Sequence, residues 1–196
     1  MEYHLKTPIK EEEIRKLKVG DIIYVSGSVI TARDAAHVRA IDYHSTGAKI
    51  PISFKDLVLY HCGPLVKKVG DEWRVVSAGP TTSTRMEYIE HKFIEIFRPR
   101  VIVGKGGMGE KTTEALKKFG GVYTVFPGGV GVLAARAIKK IIGVEWLDLG
   151  VPEALWIFEV ENFGPLIVAI DSHGNNLYSE IMKNVRSNLN VVLSSL

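Results

Sequence analysis

The sequence predicts a single α/β domain with a mixed sheet. Short β-rich apolar runs alternate along the chain with segments whose apolar residues recur at helical spacing, which is typical of α/β folds. The 196 residues contain no internal repeat, low-complexity segment or linker, and 46% of them are hydrophobic, enough for a substantial core. We therefore expect one domain over residues 1–196, with residues 1–18 as an N-terminal helical arm.

Capping residues predict the arm. Thr7 suits the cap and Pro8 the first position of a helix. The apolar residues that follow at helical spacing are Ile9, Ile14 and Leu17. Beyond the arm, the β-rich segment Ile22–Ile30 predicts a strand, and residues 31–38 lead into a helix that ends near Gly47.

The middle of the chain predicts a strand, a hairpin and a strand-to-helix junction. Residues 57–64 are apolar enough for a buried strand that ends in a turn. A turn at Gly70 favours a hairpin whose second strand covers residues 73–78. Apolar spacing predicts a helix over residues 87–97, and Thr84 fits a capping box at its start.

The second half of the chain is predicted to continue the alternation. Residues 99–103 form a compact apolar strand, and the helix after it ends at the glycine pair that follows Phe119. The later elements expected are a strand at 122–127, a helix from Val132 that stops at Gly143, a strand and turn over 146–156, strands at 157–160 and 166–171, and a weak helix over 175–190.

The composition argues against several classes of protein. The net charge of +3, from 25 basic and 22 acidic residues, is too small to indicate a nucleic-acid partner. No run approaches the roughly 18 apolar residues of a membrane span, and the first residues lack the apolar core of a signal peptide. We therefore expect a cytoplasmic protein that does not contact a membrane.

Cys62 is the single cysteine of the chain. It excludes an internal disulfide, and one thiol by itself cannot hold a zinc ion or an iron–sulfur cluster. Its apolar setting is more typical of a small core residue than of a nucleophile. We therefore expect this chain alone to bind no metal, and any such cofactor would need ligands from another chain.

The segment Gly79–Met86 is a candidate anion site. It follows a predicted strand and opens a predicted helix, so free backbone N–H groups, several hydroxyls and the guanidinium of Arg85 would converge there. Such a set suits a carboxylate or a phosphate. The alternative is that the Gly-Pro pair and the threonines only form a turn between strand and helix.

Arg33 and Lys105 are two further basic residues that follow predicted strands. Arg33 is a candidate carboxylate ligand that Asp34 and His37 would orient, although a surface ion pair worth ~0–1 kcal/mol would explain it as well. Lys105 lies between glycines, so it can present a point charge beside an anion, or it is a solvated lysine in a turn.

The glycine loop that begins at Gly104 resembles two nucleotide-binding motifs. As a phosphate-binding loop it fails, because Glu110 stands where that motif requires lysine. It does match the dinucleotide fingerprint G-x-G-x-x-G, yet the following strand ends without the acidic residue that would hold a ribose. Nucleotide binding therefore remains only an alternative.

Taken together, the candidates resemble a receptor for a small molecule with more than one carboxylate. Arg33 and Arg85 would clamp carboxylates bidentately, and Lys105 would stabilise negative charge that develops when a proton leaves the adjacent carbon. The hydroxyls of Thr81 and Thr82 complete the set. The sequence offers no obvious general base and no Lewis acid to remove a hydroxyl group, so it predicts half of an active site.

Five motifs in order resemble the β subunit, or C-terminal domain, of class I iron–sulfur fumarases and L-tartrate dehydratases. The resemblance covers nearly the whole chain, from about Leu5 to Val192. The residues that carry it are 31–37, 79–86, 104–106, 150–156 and 163–165.

The resemblance implies a swivelling β/β/α domain and a partner α subunit that carries a [4Fe-4S] cluster on three cysteines. One iron of that cluster would be open to substrate and act as the Lewis acid. Carried over by motif, Arg33, Arg85 and Lys105 would bind the dicarboxylate substrate and its developing charge. Thr81 would be the proton-abstracting residue, with Thr82 beside it, although a hydroxyl needs nearby cations to become a base.

The function that the resemblance implies first is the β subunit of a hetero-oligomeric fumarate hydratase, which interconverts (S)-malate with fumarate and water. L-tartrate dehydratase differs by one substrate hydroxyl and remains an alternative. From a different class, a stand-alone dicarboxylate-binding or nucleotide-binding module is also open.

Overall fold

The computed structural model describes residues 1–194 and contains one large sheet. The strands of the chain are β1 (Glu2–Lys6), β2 (Ile22–Thr31), β3 (Val58–Tyr60), β4 (Leu65–Val69), β5 (Glu72–Ser77), β6 (Val101–Gly104), β7 (Val122–Val125), β8 (Ile138–Glu145) and β9 (Leu155–Ile170). Its helices are α1 (Glu11–Ile14), α2 (Asp34–Thr46), α3 (Glu87–Phe97), α4 (Glu110–Phe119), α5 (Gly131–Ala137) and α6 (Leu177–Ser194). Short 3-10 turns occupy Ser83–Met86 and Leu147–Leu149.

The sheet is mixed and partly closed. Its strand order is β1-β2-β3-β6-β7-β9-β8, and β4 pairs with β5 as a separate hairpin. Strands β1, β2, β3, β6 and β7 run parallel, whereas β9 is antiparallel to β7, β8 and β2. The pairing of β9 with both β2 and β7 makes the sheet partly barrel-like. The predicted α/β class with a mixed sheet in one domain is confirmed.

The two faces of the parallel strands pack against different layers. In β3, Val58 and Tyr60 lie in a core cluster with Trp156 of β9, and Trp73 of the hairpin packs against that cluster. Leu59 belongs to a second cluster that contains residues of α2, α3 and α4. This alternation follows from the two-residue period of a strand. One face of the sheet therefore carries the three helices, and the hairpin lies toward the other.

The predicted helical arm over residues 1–18 is wrong for most of its length. Residues 2–6 form a strand that pairs in parallel with β2, and the Thr7 N–H donates to the Ser26 carbonyl at 3.0 Å. Ile9 continues this edge by donating to the Asp56 carbonyl, so Pro8 lies in extended chain and only one helical turn follows. Ile14 in that turn is fully buried, so the segment is part of the core.

Two later predictions also need correction. The helix expected to run to Gly143 ends at Ala137, because the residues after it pair with β9 as strand β8. The two strands expected at 157–160 and 166–171 are one continuous strand, β9, whose register with β2 shifts between Val25 and Gly27. The α6 prediction is confirmed over its described part.

Among residues 1–194, no helix combines the length and the apolar character that crossing a bilayer would require. The swivelling motion that the resemblance implies stays a prediction. So does the domain boundary at residue 196, which lies outside the described residues.

Candidate functional site

The predicted site residues meet at one end of the sheet. Arg33 follows β2, His61 follows β3 and Lys105 follows β6, and these three strands are parallel neighbours. The carboxyl ends of parallel strands share one edge, where ligand sites of α/β folds gather. The loop that carries Thr81 and Arg85 crosses this edge before α3 begins.

Backbone hydrogen bonds hold the Thr81 loop beside Lys105. The Thr81 N–H donates to the His61 carbonyl at 2.6 Å, and the Lys105 N–H donates to the Thr81 carbonyl at 3.2 Å. The Ser83 N–H then donates to the Lys105 carbonyl at 3.0 Å, so Thr82 and Lys105 pair as in a parallel bridge. The structure thus brings the two threonines and the lysine together on a hydrogen-bonded support.

Arg85 and Asp34 form an ion pair at the surface of this site. Arg85 Nε lies 3.3 Å from Asp34 Oδ1, and a second contact joins Nη2 to Oδ2. The side chains are 49% and 32% exposed, so water still reaches both groups. Asp34 was expected to orient Arg33, and that detail is wrong, because α2 directs its carboxylate toward the loop before α3.

Glu153 orients Arg33 instead. Its Oε1 lies 3.2 Å from Arg33 Nε, and its Oε2 accepts the Ala35 N–H at 3.0 Å. The Arg33 side chain crosses Gly63 so closely that a methyl group there would lie 2.6 Å from Nη1. The sequence analysis included Glu153 in the motif at residues 150–156 but gave it no role. The carboxylate within that motif was the feature that could have identified it.

His37 supports Arg33 through the backbone only. Its Nδ1 lies 2.8 Å from the Arg33 carbonyl oxygen, and its ring is fully buried beside Glu90 and His61. The sequence analysis did not identify Glu90 or His61 as residues of the site. The available signal was a glutamate, Glu90, on the apolar face of α3 next to Ile89.

The N–H groups of the Thr81 loop are less available to an anion than the sequence suggested. Those of Thr81 and Ser83 already donate to backbone carbonyls. The expected capping box is wrong, because Thr84 Oγ1 donates to the Gly107 carbonyl and Glu87 reaches the start of α4. Anion recognition at this loop therefore depends mainly on the side chains of its basic and hydroxyl residues.

The glycine loop after β6 is filled by protein groups. The Glu87 carboxylate accepts the Gly109 N–H at 2.7 Å and the Thr112 hydroxyl at 2.7 Å. A methyl group on Gly107 would lie 2.8 Å from the Tyr178 ring, which covers that part of the loop. A carboxylate thus occupies the helix start where a pyrophosphate would bind, which disfavours the nucleotide alternative.

Cys62 is completely buried, and burial raises the pKa of its thiol. An inaccessible thiol with a raised pKa is a poor metal ligand and a poor nucleophile. Since it is the one cysteine of the chain, these residues do not fit a [4Fe-4S] cluster.

Exposed apolar side chains lie next to the site. Tyr88 is 61% and Val38 46% exposed, and both line a groove of about 740 Å³ that also includes Asp34. The groove is thus continuous with the Asp34–Arg85 ion pair.

Comparisons with known proteins agree on one family. The family model described as the fumarase C-terminus matches residues 1–181. The L(+)-tartrate dehydratase beta subunit of Escherichia coli is 48% identical over 179 residues, which are 91% of this chain and 88% of that protein.

Two further relatives carry related names. A Methanocaldococcus jannaschii protein provisionally named L(+)-tartrate dehydratase subunit beta is 45% identical over 98% of this chain and 99% of its own length. A Geobacillus stearothermophilus protein provisionally named class I fumarate hydratase is 42% identical over 91% of this chain but 34% of its own length. The matches span nearly all of the sequence, and the chain therefore belongs to the fumarase C-terminus family.

Proposed function

We propose that this chain is the β subunit of a heteromeric hydro-lyase that removes water from a four-carbon 2-hydroxydicarboxylate. The observation that supports it best is that Arg33, Thr81, Arg85 and Lys105 lie at one open edge of the sheet. Three cations around hydroxyl groups suit a ligand with two carboxylates. Relatives named as beta subunits of tartrate dehydratase support the same class of enzyme.

Arg85 is the residue that we expect to bind a substrate carboxylate from the exposed side. In the free chain Asp34 satisfies its guanidinium, and the pair is exposed enough for a ligand to approach. Arginine offers five donors, so a substrate carboxylate can bind beside Asp34 without displacing it. Arg33, fixed by Glu153, would hold the second carboxylate.

Thr81 and Lys105 are the residues that we propose for the proton step. Removal of a proton from the carbon next to a carboxylate moves negative charge onto that carboxylate, and Lys105 would stabilise it. Lys105 is half-buried and takes part in no ion pair within residues 1–194, which leaves its charge available. Thr81 would accept the proton only if nearby cations lower the pKa of its hydroxyl.

The [4Fe-4S] cluster that the family implies would have to be carried by an α subunit, because this chain offers one buried thiol. We propose that the α subunit packs on the apolar groove beside Tyr88 and Val38. That position is continuous with Asp34 and Arg85, so the partner would close the open edge of the site.

Fumarate hydratase remains our first candidate for the reaction, since the family description and one relative refer to fumarase. L-tartrate dehydratase is the second candidate, favoured by the names of two relatives of similar length. The two substrates differ by one hydroxyl group, so the same carboxylate ligands serve both.

Anaerobic reconstitution of this chain with a cluster-bearing α subunit tests the proposal. We expect each chain to be inactive alone and the complex to dehydrate (S)-malate faster than L-tartrate. A strong preference for tartrate would select the second candidate. A complex that forms but dehydrates neither substrate would contradict the proposed class of reaction.

A further inference from the structure

A completely buried carboxylate lies directly beneath the site. Glu90 of α3 is surrounded by His37 of α2 and His61 after β3, and all three side chains are inaccessible to water. Each histidine Nε2 lies 3.2 Å from Glu90 Oε2. The contacts lack the alignment of good hydrogen bonds, so charge attraction in a dry setting is their main contribution.

The hydrogen-bond partners determine where the protons lie. His37 Nδ1 faces the Arg33 carbonyl, which can only accept, so this nitrogen carries a proton. His37 Nε2 faces a carboxylate oxygen, another acceptor, so it carries a proton as well. His37 is therefore an imidazolium. A buried anion without a cation would cost several kcal/mol, and this cation offsets it.

His61 has a different partner and a different charge. Its Nδ1 lies 2.9 Å from the Ser83 hydroxyl, which can donate, so only Nε2 toward Glu90 needs a proton. Burial disfavours the charged form of both histidines. At His37 the Glu90 charge, the polar contact with that carboxylate and the hydrogen bond to a backbone carbonyl together outweigh burial and raise the pKa, whereas at His61 burial prevails and lowers the pKa. Asp34 adds a weaker attraction to both rings. The cluster thus holds one cation, one anion and one neutral imidazole.

This cluster joins the segments that carry the predicted site residues. His37 holds the backbone of Arg33, and His61 binds the loop twice, through its carbonyl to Thr81 and through its ring to Ser83. Ser83 in turn donates its N–H to the Lys105 carbonyl. One carboxylate therefore lies at the centre of contacts that reach three separate parts of the site.

A divalent cation is the competing explanation. Two imidazoles and a carboxylate, with ligand atoms within 4.8 Å of one another, are a donor set that zinc or iron accepts. A metal ion would need an unprotonated Nε2 on both rings. The protonated cluster balances its charges without a metal ion, and the surrounding side chains leave no exposed position for a water ligand.

We propose that Glu90 is a positioning residue, which fixes Arg33 relative to the Thr81–Ser83 segment through its contacts with His37 and His61. The proposal rests on the proposed function, because it assigns these buried residues to that site. It predicts that loss of the Glu90 charge disturbs turnover without changing any residue that touches substrate.

Histidine side-chain NMR of the full-length chain tests the protonation pattern. Near pH 8, we expect His37 with protons on both nitrogens and His61 neutral with its proton on Nε2. In Glu90→Gln, His37 should lose its second proton at this pH. A neutral His37 in the wild-type chain would overturn the proposal, whatever the activity of the complex.

Kinetics of the reconstituted complex test the positioning. We expect Glu90→Gln to lower kcat about tenfold or more, with KM changed less than about threefold, because misplaced reacting groups slow the chemical step most. Glu95→Gln, the same change on the exposed side of α3, should leave both unchanged. An unchanged kcat in Glu90→Gln would overturn the proposal.

Two further measurements cover the remaining outcomes. If Glu90→Gln does not fold, Ser83→Ala removes the side-chain link between His61 and the loop, and it should still lower kcat. Stoichiometric zinc or iron in the purified wild-type chain, lost in Glu90→Gln, would overturn the proposal in favour of a metal site. An inactive wild-type complex would contradict the proposed function and leave the NMR result standing.

Discussion

Two clusters of opposite charges lie close together in this protein and differ chiefly in burial. Asp34 and Arg85 pair at the surface with side chains 32% and 49% exposed, whereas Glu90 and its histidines are fully enclosed. An exposed pair contributes about 0–1 kcal/mol to stability, but breaking a buried one costs about 3–5 kcal/mol. The exposed pair therefore leaves Arg85 accessible to a ligand carboxylate, whereas the buried cluster holds the surrounding segments in place.

Glu90→Ala has the largest expected effect and tests the buried side of this comparison. It removes the anion that keeps the buried His37 protonated and breaks the buried ion pair, so the free energy of unfolding should fall by about 3–5 kcal/mol. Urea denaturation of the full chain measures it, with Glu95→Ala as the control on the exposed side of the same helix. A loss of unfolding free energy below about 1 kcal/mol would contradict the expectation that the buried cluster contributes more to stability than the exposed pair.

Lys105→Ala tests the role of the accessible charges at the site. Removing a cation that stabilises developing charge should lower kcat of the complex about 10²-fold, because such donors act in the transition state. Stability should change little, since Lys105 has no ion-pair partner among residues 1–194. Lys140→Ala on exposed strand β8 is the control, and equal kcat values for the two variants would contradict the role of Lys105.

Glu153→Gln tests a group of intermediate exposure. Its carboxylate is 21% exposed and holds both the Arg33 guanidinium and the Ala35 N–H. Loss of the charge should loosen Arg33 and raise KM about tenfold, with a smaller change in kcat. Steady-state kinetics measure this, and Glu159→Gln on the exposed face of β9 should match the wild type. An unchanged KM would contradict the role of Glu153 in orienting Arg33.

The dependence of stability on pH has the smallest expected effect. The pKa of His61 is lowered, so the unfolded chain binds the extra proton and stability falls as the pH drops below about 6.5. The pKa of His37 is raised, so its contribution is complete below about 6.5 and is lost as the pH rises through the folded pKa. Denaturation at several pH values should show a maximum near neutrality, and Glu90→Gln should remove the alkaline decline.

Sequence patterns predicted most of the central fold. Strands β2, β3, β6 and β7 and helices α2, α3 and α4 are each specified by local apolar spacing and by glycine ends such as Gly47 and Gly120. The N-terminal strand was missed because β1 forms through its partner β2, about twenty residues later in the chain. Strand β8 was missed because an alanine-rich helix runs into it, and only pairing with β9 determines where that helix ends.

The candidate site residues were predictable where a suitable side chain directly follows a strand. Arg33, Arg85 and Lys105 are basic residues after strands, and that pattern identified them. Glu153 and Glu90 were not found, because each acts on residues far away in sequence. A glutamate in a helix is usually a solvated residue, and only the packing of α3 on the sheet shows that Glu90 is enclosed.

Arg85 is the exposed residue that we propose binds a substrate carboxylate. Equilibrium binding of succinate, a dicarboxylate without the leaving hydroxyl, to the reconstituted complex tests this role. We predict that Arg85→Ala weakens binding about tenfold or more, since a charged hydrogen bond contributes about 1.5–3 kcal/mol, while unfolding free energy changes by less than about 1 kcal/mol. Arg74→Ala on the hairpin should bind like the wild type. Equal succinate affinities for Arg85→Ala and the wild type would contradict this role.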